Sequence, residues 1–370
     1  MEDERKARLQ GVANQLLQSG VAGQVFPGAS ACIAFRDESG PVFVEAASGK
    51  MGPELGSVQS LTVFDLASVT KPFVAMAALA ASRDGQVDLD AEAQDYLGDV
   101  RGGPAAKATL RQLLRHTAGL AAWGGLYLDV PHALGSTAAR RWMVSEASRR
   151  PEEEPTRGAL YSDLGYIVAG ALIAKMCGMP LEKVLASKVT LPLGIANQVY
   201  FAGAVEPAQR VKHVASSAAT ERCEWRGKLV RGDVHDENCA AMGGIAGHAG
   251  LFGTAKGVAS FGRAMLDVLH DRGQLVPKAA LVDALVATPG STHRLGWDGK
   301  SPEGSSAGKR MSPSSFGHLG FTGTSIWCDP ERDLCVVLLS NRVCPSRANQ
   351  KIKAFRPAFH DAVVGAFDAG

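Results

Sequence analysis

Segments with strand character lie near both ends of the chain, and this arrangement limits the folds that it can adopt. Residues 29–36 and 42–46 are separated by a turn, which predicts a hairpin. Residues 317–327 and 334–341 predict a second hairpin in the same way. The sequence between them is mainly helix and loop. We therefore predict an α/β fold of the α+β kind, with an antiparallel sheet built from both termini and flanked by helices.

The same patterns suggest two domains in a chain of 370 residues, which is too long for one small core. Residues 1–75 and 295–370 would form an α/β sheet domain, and residues 76–294 would form a mainly helical inserted domain. Helix patterns at 3–20 and 349–368 would cover one face of the sheet.

Composition argues against several classes of protein. The net charge is +2, with no long run of either sign, so no nucleic-acid or membrane partner is expected. No apolar run is long enough for a membrane helix, and the charged start lacks the apolar core of a signal peptide. We therefore expect a cytoplasmic protein. The seven cysteines lack C-x-x-C spacing, so we expect reduced thiols rather than a disulfide framework or a zinc site.

Ser68 and Lys71 stand three residues apart at the start of a predicted helix. Pro72 cannot donate to the carbonyl of Ser68, so the helix should begin near Ser68. Ser68 then lies among the free N–H groups of a helix end, and Lys71 lies one turn further on over the same face. A weak nucleophile beside a base, at a site that favours an anion, is what acyl transfer requires.

Tyr161 is presented at a second junction between loop and helix. Residues 164–172 carry apolar side chains at helical spacing, and Ser162 is a plausible N-cap for that helix. A tyrosine at such a place is often structural, and it gains chemical meaning only if it lies beside the serine and the lysine.

Other residues leave two interpretations open. His116 follows a short helix, and we favour a structural histidine that ties its loop down near the site over a catalytic one. The aromatic, Gly-rich loop around Trp123 either lines a pocket or is a surface turn. His235, Asp236 and His248 invite a metal site, but their spacing matches no regular ligand pattern, so we expect a rigid, hydrogen-bonded loop and no metal.

Three motifs, in order, resemble those of the serine β-lactamase and penicillin-binding-protein superfamily. Ser68-Val-Thr-Lys71 is similar to its Ser-x-x-Lys motif, Tyr161-Ser-Asp163 to Tyr-x-Asn, and His318-Leu-Gly320 to the Lys-Thr-Gly or His-x-Gly strand motif. The resemblance is greatest to the class C-like branch of esterases, D-aminopeptidases and D,D-peptidases. Further short sequence matches extend the resemblance over residues 29–341.

The resemblance implies that Ser68 attacks the substrate carbonyl, that Lys71 activates it, and that Tyr161 passes the proton to the leaving group. The backbone N–H groups of Ser68 and Phe321 would form the oxyanion hole. Gly320 would allow a close approach to the substrate. No cofactor is expected, and the partner would be a small-molecule substrate.

Two positions depart from the family pattern. Asp163 stands where Asn is usual, and an ionised carboxylate cannot donate to a substrate amide, although it can hold the ammonium of Lys71. His318 stands where β-lactamases carry Lys, and a histidine is mostly neutral near pH 7. Both residues, with Gly320 and Trp123, are predicted to contact the substrate.

We therefore expect a serine hydrolase that acts through an acyl-enzyme on a carboxylic ester or a small amide, in the manner of an esterase. The alternative is a β-lactam or D-amino-acid peptide hydrolase. A remote alternative is a binding or assembly protein with weak chemistry, and the complete set of Ser68, Lys71 and Tyr161 argues against it. The sequence does not indicate an oligomeric state.

Overall fold

The computed structural model describes residues 2–152 and 158–369. Eleven strands and twelve α-helices are defined within these residues. The strands are β1 (Gly28–Asp37), β2 (Gly40–Gly49), β3 (Phe64–Asp65), β4 (Val199–Phe201), β5 (Ala219–Cys223), β6 (Lys228–Arg231), β7 (Leu251–Gly253), β8 (Asp298–Gly299), β9 (Phe316–Leu319), β10 (Ser325–Asp329) and β11 (Leu334–Ser340). The helices are α1 (Glu2–Ala22), α2 (Thr70–Arg83), α3 (Ala93–Tyr96), α4 (Leu110–Leu114), α5 (Thr137–Arg149), α6 (Asp163–Met176), α7 (Leu181–Leu185), α8 (Pro207–Ser216), α9 (Glu237–Ala241), α10 (Ala255–Leu269), α11 (Lys278–Ala284) and α12 (Ile352–Asp368).

A six-stranded antiparallel sheet joins the two ends of the chain, in the order β2-β1-β11-β10-β9-β8. The central pairing sets Ala29 opposite Ser340 and Ala34 opposite Cys335. The predicted fold class and the assembly of the sheet from both termini are therefore confirmed.

Helices cover both faces of this sheet. On one face, α1 and α12 pack together with Ile33 and Phe35 of β1. On the other face, α10 packs against β1, β10 and β11. Because β1 is buried on both faces, it reads as a continuous apolar run instead of an alternating pattern. Helix α10 belongs to the predicted inserted domain by sequence, yet it lies on the sheet; the domain boundaries stay a prediction.

Local signals in the sequence place several helices correctly. Thr254 caps α10 by accepting a hydrogen bond from the N–H of Gly257, and Ser162 caps α6 by accepting one from Gly165. The terminal helices predicted at 3–20 and 349–368 are α1 and α12. Helix α2 is buried along most of its length, and Phe73 stacks on Phe261 of α10 with 3.8 Å between ring centres.

One expectation about strands was wrong. The segment 317–327 was predicted to be one strand, but it forms β9 and β10, which pair with each other around a turn closed by Gly323 N–H on the Gly320 carbonyl. The central region was predicted to be mainly helix and loop, and the short strands β4, β5, β6 and β7 within it were not identified from the sequence. Strands of two to five residues carry too little periodic pattern to be recognised.

All seven cysteines are free thiols, and six of them are buried. Within the described residues no single helix is long and apolar enough to cross a membrane. Asp163–Met176 and Leu181–Thr190 reach that length only as a pair, and they meet at a bend of 77°.

Candidate active site

Ser68 lies on a tight turn between β3 and α2. The short 3-10 helix Ala67–Val69 precedes α2, and Ala67 adopts a left-handed φ of +47°, which is unfavourable for a residue with a Cβ. Asp65 holds this turn, because its Oδ1 accepts a hydrogen bond of 2.8 Å from the N–H of Ala67. The turn therefore sets Ser68 in the first turn of the helix, where N–H groups have no partner within the helix.

Lys71 is fully buried beside Ser68. Its Nζ donates to Ser68 Oγ at 2.9 Å, to Asp163 Oδ1 at 2.6 Å and to the carbonyl oxygen of His248 at 3.2 Å. Burial lowers the pKa of Lys71 below its usual value, although the Asp163 carboxylate acts in the opposite direction. A lysine with a lowered pKa that touches a hydroxyl is equipped to accept a proton from it.

Tyr161 covers the same ammonium group. Lys71 Nζ lies 4.8 Å from the centre of the Tyr161 ring. Burial and the Asp163 carboxylate raise the pKa of Tyr161 well above its usual value, while a hydrogen bond with Ser68 acts in the opposite direction. The phenol is therefore protonated at neutral pH and able to donate its proton.

His116 fixes the segment that carries Tyr161. Its Nδ1 accepts a hydrogen bond of 3.0 Å from the N–H of Ser162, and its carbonyl oxygen accepts one from Leu160. Its ring also lies 4.7 Å from that of Tyr161. Burial and the charge of Lys71 lower the pKa of His116 well below its usual value, so Nδ1 stays an acceptor. The predicted role in tying down the loop is confirmed.

The turn between β9 and β10 forms the other side of the site. The hydroxyls of Thr322 and Thr324 donate to the carbonyl oxygens of Asp65 and Leu66, so this turn is tied directly to the Ser68 turn. A side chain at Gly320 would collide with Thr324 and with the Leu66 carbonyl. This turn can therefore pack closely against the Ser68 turn only with glycine at position 320.

The N–H groups of Ser68 and Phe321 have no acceptor within the part of the chain that the structure describes. His318 is buried, with its ring 6.1 Å from that of Tyr161 and its Nδ1 2.9 Å from the Leu319 carbonyl. Burial, and then the charge on Lys71, lower the pKa of His318 to about 3. His318 is therefore neutral near pH 7, as the sequence suggested.

A cleft of about 340 Å³ opens onto Ser68, within the size range of small-molecule sites. It brings Ser68, Asp163, Trp123 and Phe321 together, whereas Lys71, Tyr161 and His318 are not among the residues that line it. The residues that line it are Ala67, Ser68, Trp123, Asp163, His235, Asp236, Glu237, His248, Ala249, Phe321 and Arg347.

The two histidines considered as metal ligands each bind a different carboxylate. His235 Nε2 lies 2.8 Å from Glu221 Oε2, and His248 Nε2 lies 2.8 Å from Asp236 Oδ1. Across residues 2–152 and 158–369, no three or more His, Cys, Asp or Glu side chains are grouped to hold a metal ion. The expected rigid, hydrogen-bonded loop bordering the site is what these pairs form.

Sequence reasoning missed the charged residues at the cleft mouth. Arg347 donates to Glu221 at 2.7 Å and to Glu237 at 2.6 Å, and its guanidinium lies 5.7 Å from the centre of the Phe321 ring. These residues are far apart in sequence and follow no spacing rule, so no local pattern could have found them.

A serine that touches a buried lysine, with a protonated tyrosine over that lysine, has the parts of a serine hydrolase. The Beta-lactamase family model matches residues 13–356, so the chain belongs to the beta-lactamase family. It is a serine hydrolase of the β-lactamase-related type.

Curated relatives are similar over most of the chain. An N-acetylmuramyl-L-alanine amidase of Bacillus subtilis (strain 168) is 27% identical over 89% of this chain and 80% of its own length. A protein of Salmonella agona (strain SL483), provisionally named a D-alanyl-D-alanine carboxypeptidase, is 27% identical over 79% of this chain and 72% of its own length.

Solved structures share the fold. The crystal structure of SurE has a TM-score of 0.71 and 23% identity, covering 97% of this chain and 77% of SurE. Simvastatin synthase (LOVD) from Aspergillus terreus, in a mutant form, has a TM-score of 0.70 and 20% identity, covering 96% of this chain and 98% of its own.

Proposed function

We propose that this enzyme hydrolyses an amide bond next to an amino acid, through an acyl-enzyme on Ser68. The observation that carries the proposal is the buried Lys71, whose Nζ joins Ser68 Oγ and Asp163 Oδ1 beneath the Tyr161 ring. Ser68 Oγ attacks the carbonyl carbon and Lys71 accepts its proton. The N–H groups of Ser68 and Phe321 stabilise the oxyanion.

Tyr161 favours an amide over an ester. An amine leaves readily only after its nitrogen receives a proton, whereas an activated alkoxide or phenoxide leaves without one. The raised pKa keeps the Tyr161 phenol protonated and able to supply that proton. Once the amine departs, water attacks the acyl-enzyme, with Lys71 and Tyr161 returning the proton to Ser68.

The names of the curated relatives support the same bond type. An amidase and a carboxypeptidase both cleave amides, and both names include alanine as the amino acid at the cleaved bond. An ester is the second candidate, and the neutral His318 supports it, because this position offers no cation for a substrate carboxylate.

The proposal is tested with a panel of substrates on the purified protein. The panel contains N-acetylmuramyl-L-alanine, a D-alanyl-D-alanine peptide, a penicillin and a short-chain p-nitrophenyl ester. We expect turnover of at least one of the amides in this panel. We also expect Ser68→Ala to lower turnover at least ~10³-fold and to abolish labelling by a fluorophosphonate.

Ser60→Ala is the matched control, because Ser60 is exposed and does not line the cleft. Ser60→Ala should keep both substrate turnover and labelling by the fluorophosphonate. Ester turnover without any amide turnover would replace the first candidate with the second. Full activity of Ser68→Ala would show that Ser68 is not the nucleophile.

A further inference from the structure

Two large aromatic side chains stand exposed at the rim of the Ser68 cleft. Trp123 is 51% exposed and Phe321 is 47% exposed, and both line the cleft. Exposed apolar area beside a nucleophile is unfavourable in water, so it indicates a surface that the substrate covers.

The loop around Trp123 is held rigidly while its indole stays exposed. The carbonyl of Ala121 accepts from Ser162 Oγ at 2.7 Å, and that of Ala122 accepts from the N–H of Asp163 at 2.8 Å. On the other side of Trp123, Asn238 Nδ2 donates to the Gly124 carbonyl at 2.8 Å. The exposure therefore belongs to a fixed loop conformation, which presents the ring without a cost in loop ordering.

The ring of Phe321 is fixed as well. It stacks on His235 with 5.6 Å between ring centres, and the guanidinium of Arg342 lies 4.5 Å from its centre. Arg342 Nε also donates to the Phe321 carbonyl at 2.8 Å. Half of this ring nevertheless stays open to the cleft mouth.

Hydrogen-bond acceptors line the same cleft as these aromatic side chains. Asp236 Oδ1 accepts hydrogen bonds from His248 Nε2 and from the N–H of Cys239. Glu237 Oε1 accepts a hydrogen bond from Arg347. Within the described residues, Oδ2 of Asp236 and Oε2 of Glu237 accept no hydrogen bond. Burial alone would raise the pKa of Asp236, but the contact with His248 outweighs it and holds that pKa below its usual range.

His248 adds a further polar atom without a partner. Its Nε2 lies 2.8 Å from Asp236 Oδ1. Its Nδ1 is buried and has no hydrogen-bond partner within the described residues. An unsatisfied polar atom at a cleft is costly until a ligand supplies the missing partner.

We propose that the acyl half of the substrate carries a pyranose sugar, whose C–H face packs on Trp123 and Phe321 and whose hydroxyls donate to Asp236 and Glu237. This inference rests on the proposed amide hydrolysis. A sugar ring offers an apolar face and donor hydroxyls in one group. A plain alkyl or phenyl group would cover the aromatic rings but leave the carboxylate oxygens desolvated and unpaired.

A matched pair of substrates tests the inference. N-acetylmuramyl-L-alanine and lactoyl-L-alanine share the same cleaved bond and differ by the sugar ring. We expect the unaltered enzyme to cleave the sugar amide with a kcat/KM at least ~10-fold higher. Trp123→Ala should remove most of this preference, by raising KM for the sugar amide much more than KM for lactoyl-L-alanine. Trp123→Phe should restore part of it.

Leu128→Ala is the control, because Leu128 is also exposed nearby but does not line the cleft. It should keep the full preference. Equal rates on the two amides, or an equal loss on both in Trp123→Ala, would overturn the sugar subsite and leave the amide activity standing. Failure to cleave these two amides and every other amide of the substrate panel, with Ser68 still acylated by an ester, would overturn the proposed function and this inference with it.

Discussion

The two sides of the Ser68 cleft differ in how their polar groups are satisfied. On the inner side, Lys71 is fully buried and contacts Ser68, Asp163 and the His248 carbonyl. At the rim, Trp123 and Phe321 are half exposed, and oxygens of nearby carboxylates lack donors within the described residues. The Lys71 ammonium on the inner side thus has its partners before any substrate arrives, whereas under our proposal the substrate supplies the partners at the rim. Changes on the inner side should therefore alter kcat, and changes at the rim should alter KM.

The largest effect is expected from His116→Ala. The variant loses the hydrogen bond to Ser162 that fixes the segment carrying Tyr161, and a small displacement of a catalytic group is costly. We expect kcat to fall ~100-fold with little change in KM, measured with the best amide substrate. His360→Ala is the control, because His360 is also buried but contacts the Ser306 carbonyl instead of the segment that carries Tyr161. An equal fall in kcat in both variants would mean that only general stability was lost. The proposed difference between the inner side and the rim of the cleft would then have no support from His116.

Asp163→Asn should have the next largest effect. The variant keeps an acceptor for Lys71 but removes the charge that opposes the effect of burial, so the pKa of Lys71 falls further. A base must be unprotonated to act, so the acid limb of kcat/KM should move about one pH unit lower. The weaker contact should cost about tenfold in kcat. Asp233→Asn is the control, because Asp233 lies outside the cleft, and it should leave the acid limb of kcat/KM in place. If the acid limb does not move in Asp163→Asn either, Lys71 is not the titrating base.

His318→Gln should give the smallest effect, on stability instead of rate. Folded His318 binds a proton only near pH 3, whereas an unfolded histidine binds one near pH 6.5. The unfolded chain therefore holds the extra proton between these values, and stability falls as the pH falls below 6.5, by up to about 1.4 kcal/mol per pH unit. Urea denaturation at pH 6.5 and pH 5 should show a smaller loss in His318→Gln. Equal losses would mean that His318 is protonated in the folded protein.

The inner side of the cleft was largely predictable from the sequence, because local rules position it. The cap at Ser162, the start of a helix near Ser68 and the spacing of Ser68 and Lys71 are all readable within a few residues. The motifs in order then linked Tyr161 to that pair.

The rim and the turn between β9 and β10 were not predictable in this way. Thr322 and Asp65, whose contact ties the turn to Ser68, are 257 positions apart. Without that contact, the segment 317–327 looks like one strand. The pairing of Arg347 with Glu221 and Glu237 likewise joins residues that share no local pattern, so only the folded chain reveals it.

The pairing of β1 with β11 has a consequence for the synthesis of the protein. Strand β10, whose turn to β9 braces Ser68, takes its place between β9 and β11, and β11 pairs with β1 from the opposite end of the chain. A ribosome makes Ser68 and Lys71 some 250 residues before Phe321, whose N–H we propose for the oxyanion hole. We therefore expect the growing chain to carry a serine that cannot yet react, and the enzyme to become active only after β11 has joined β1.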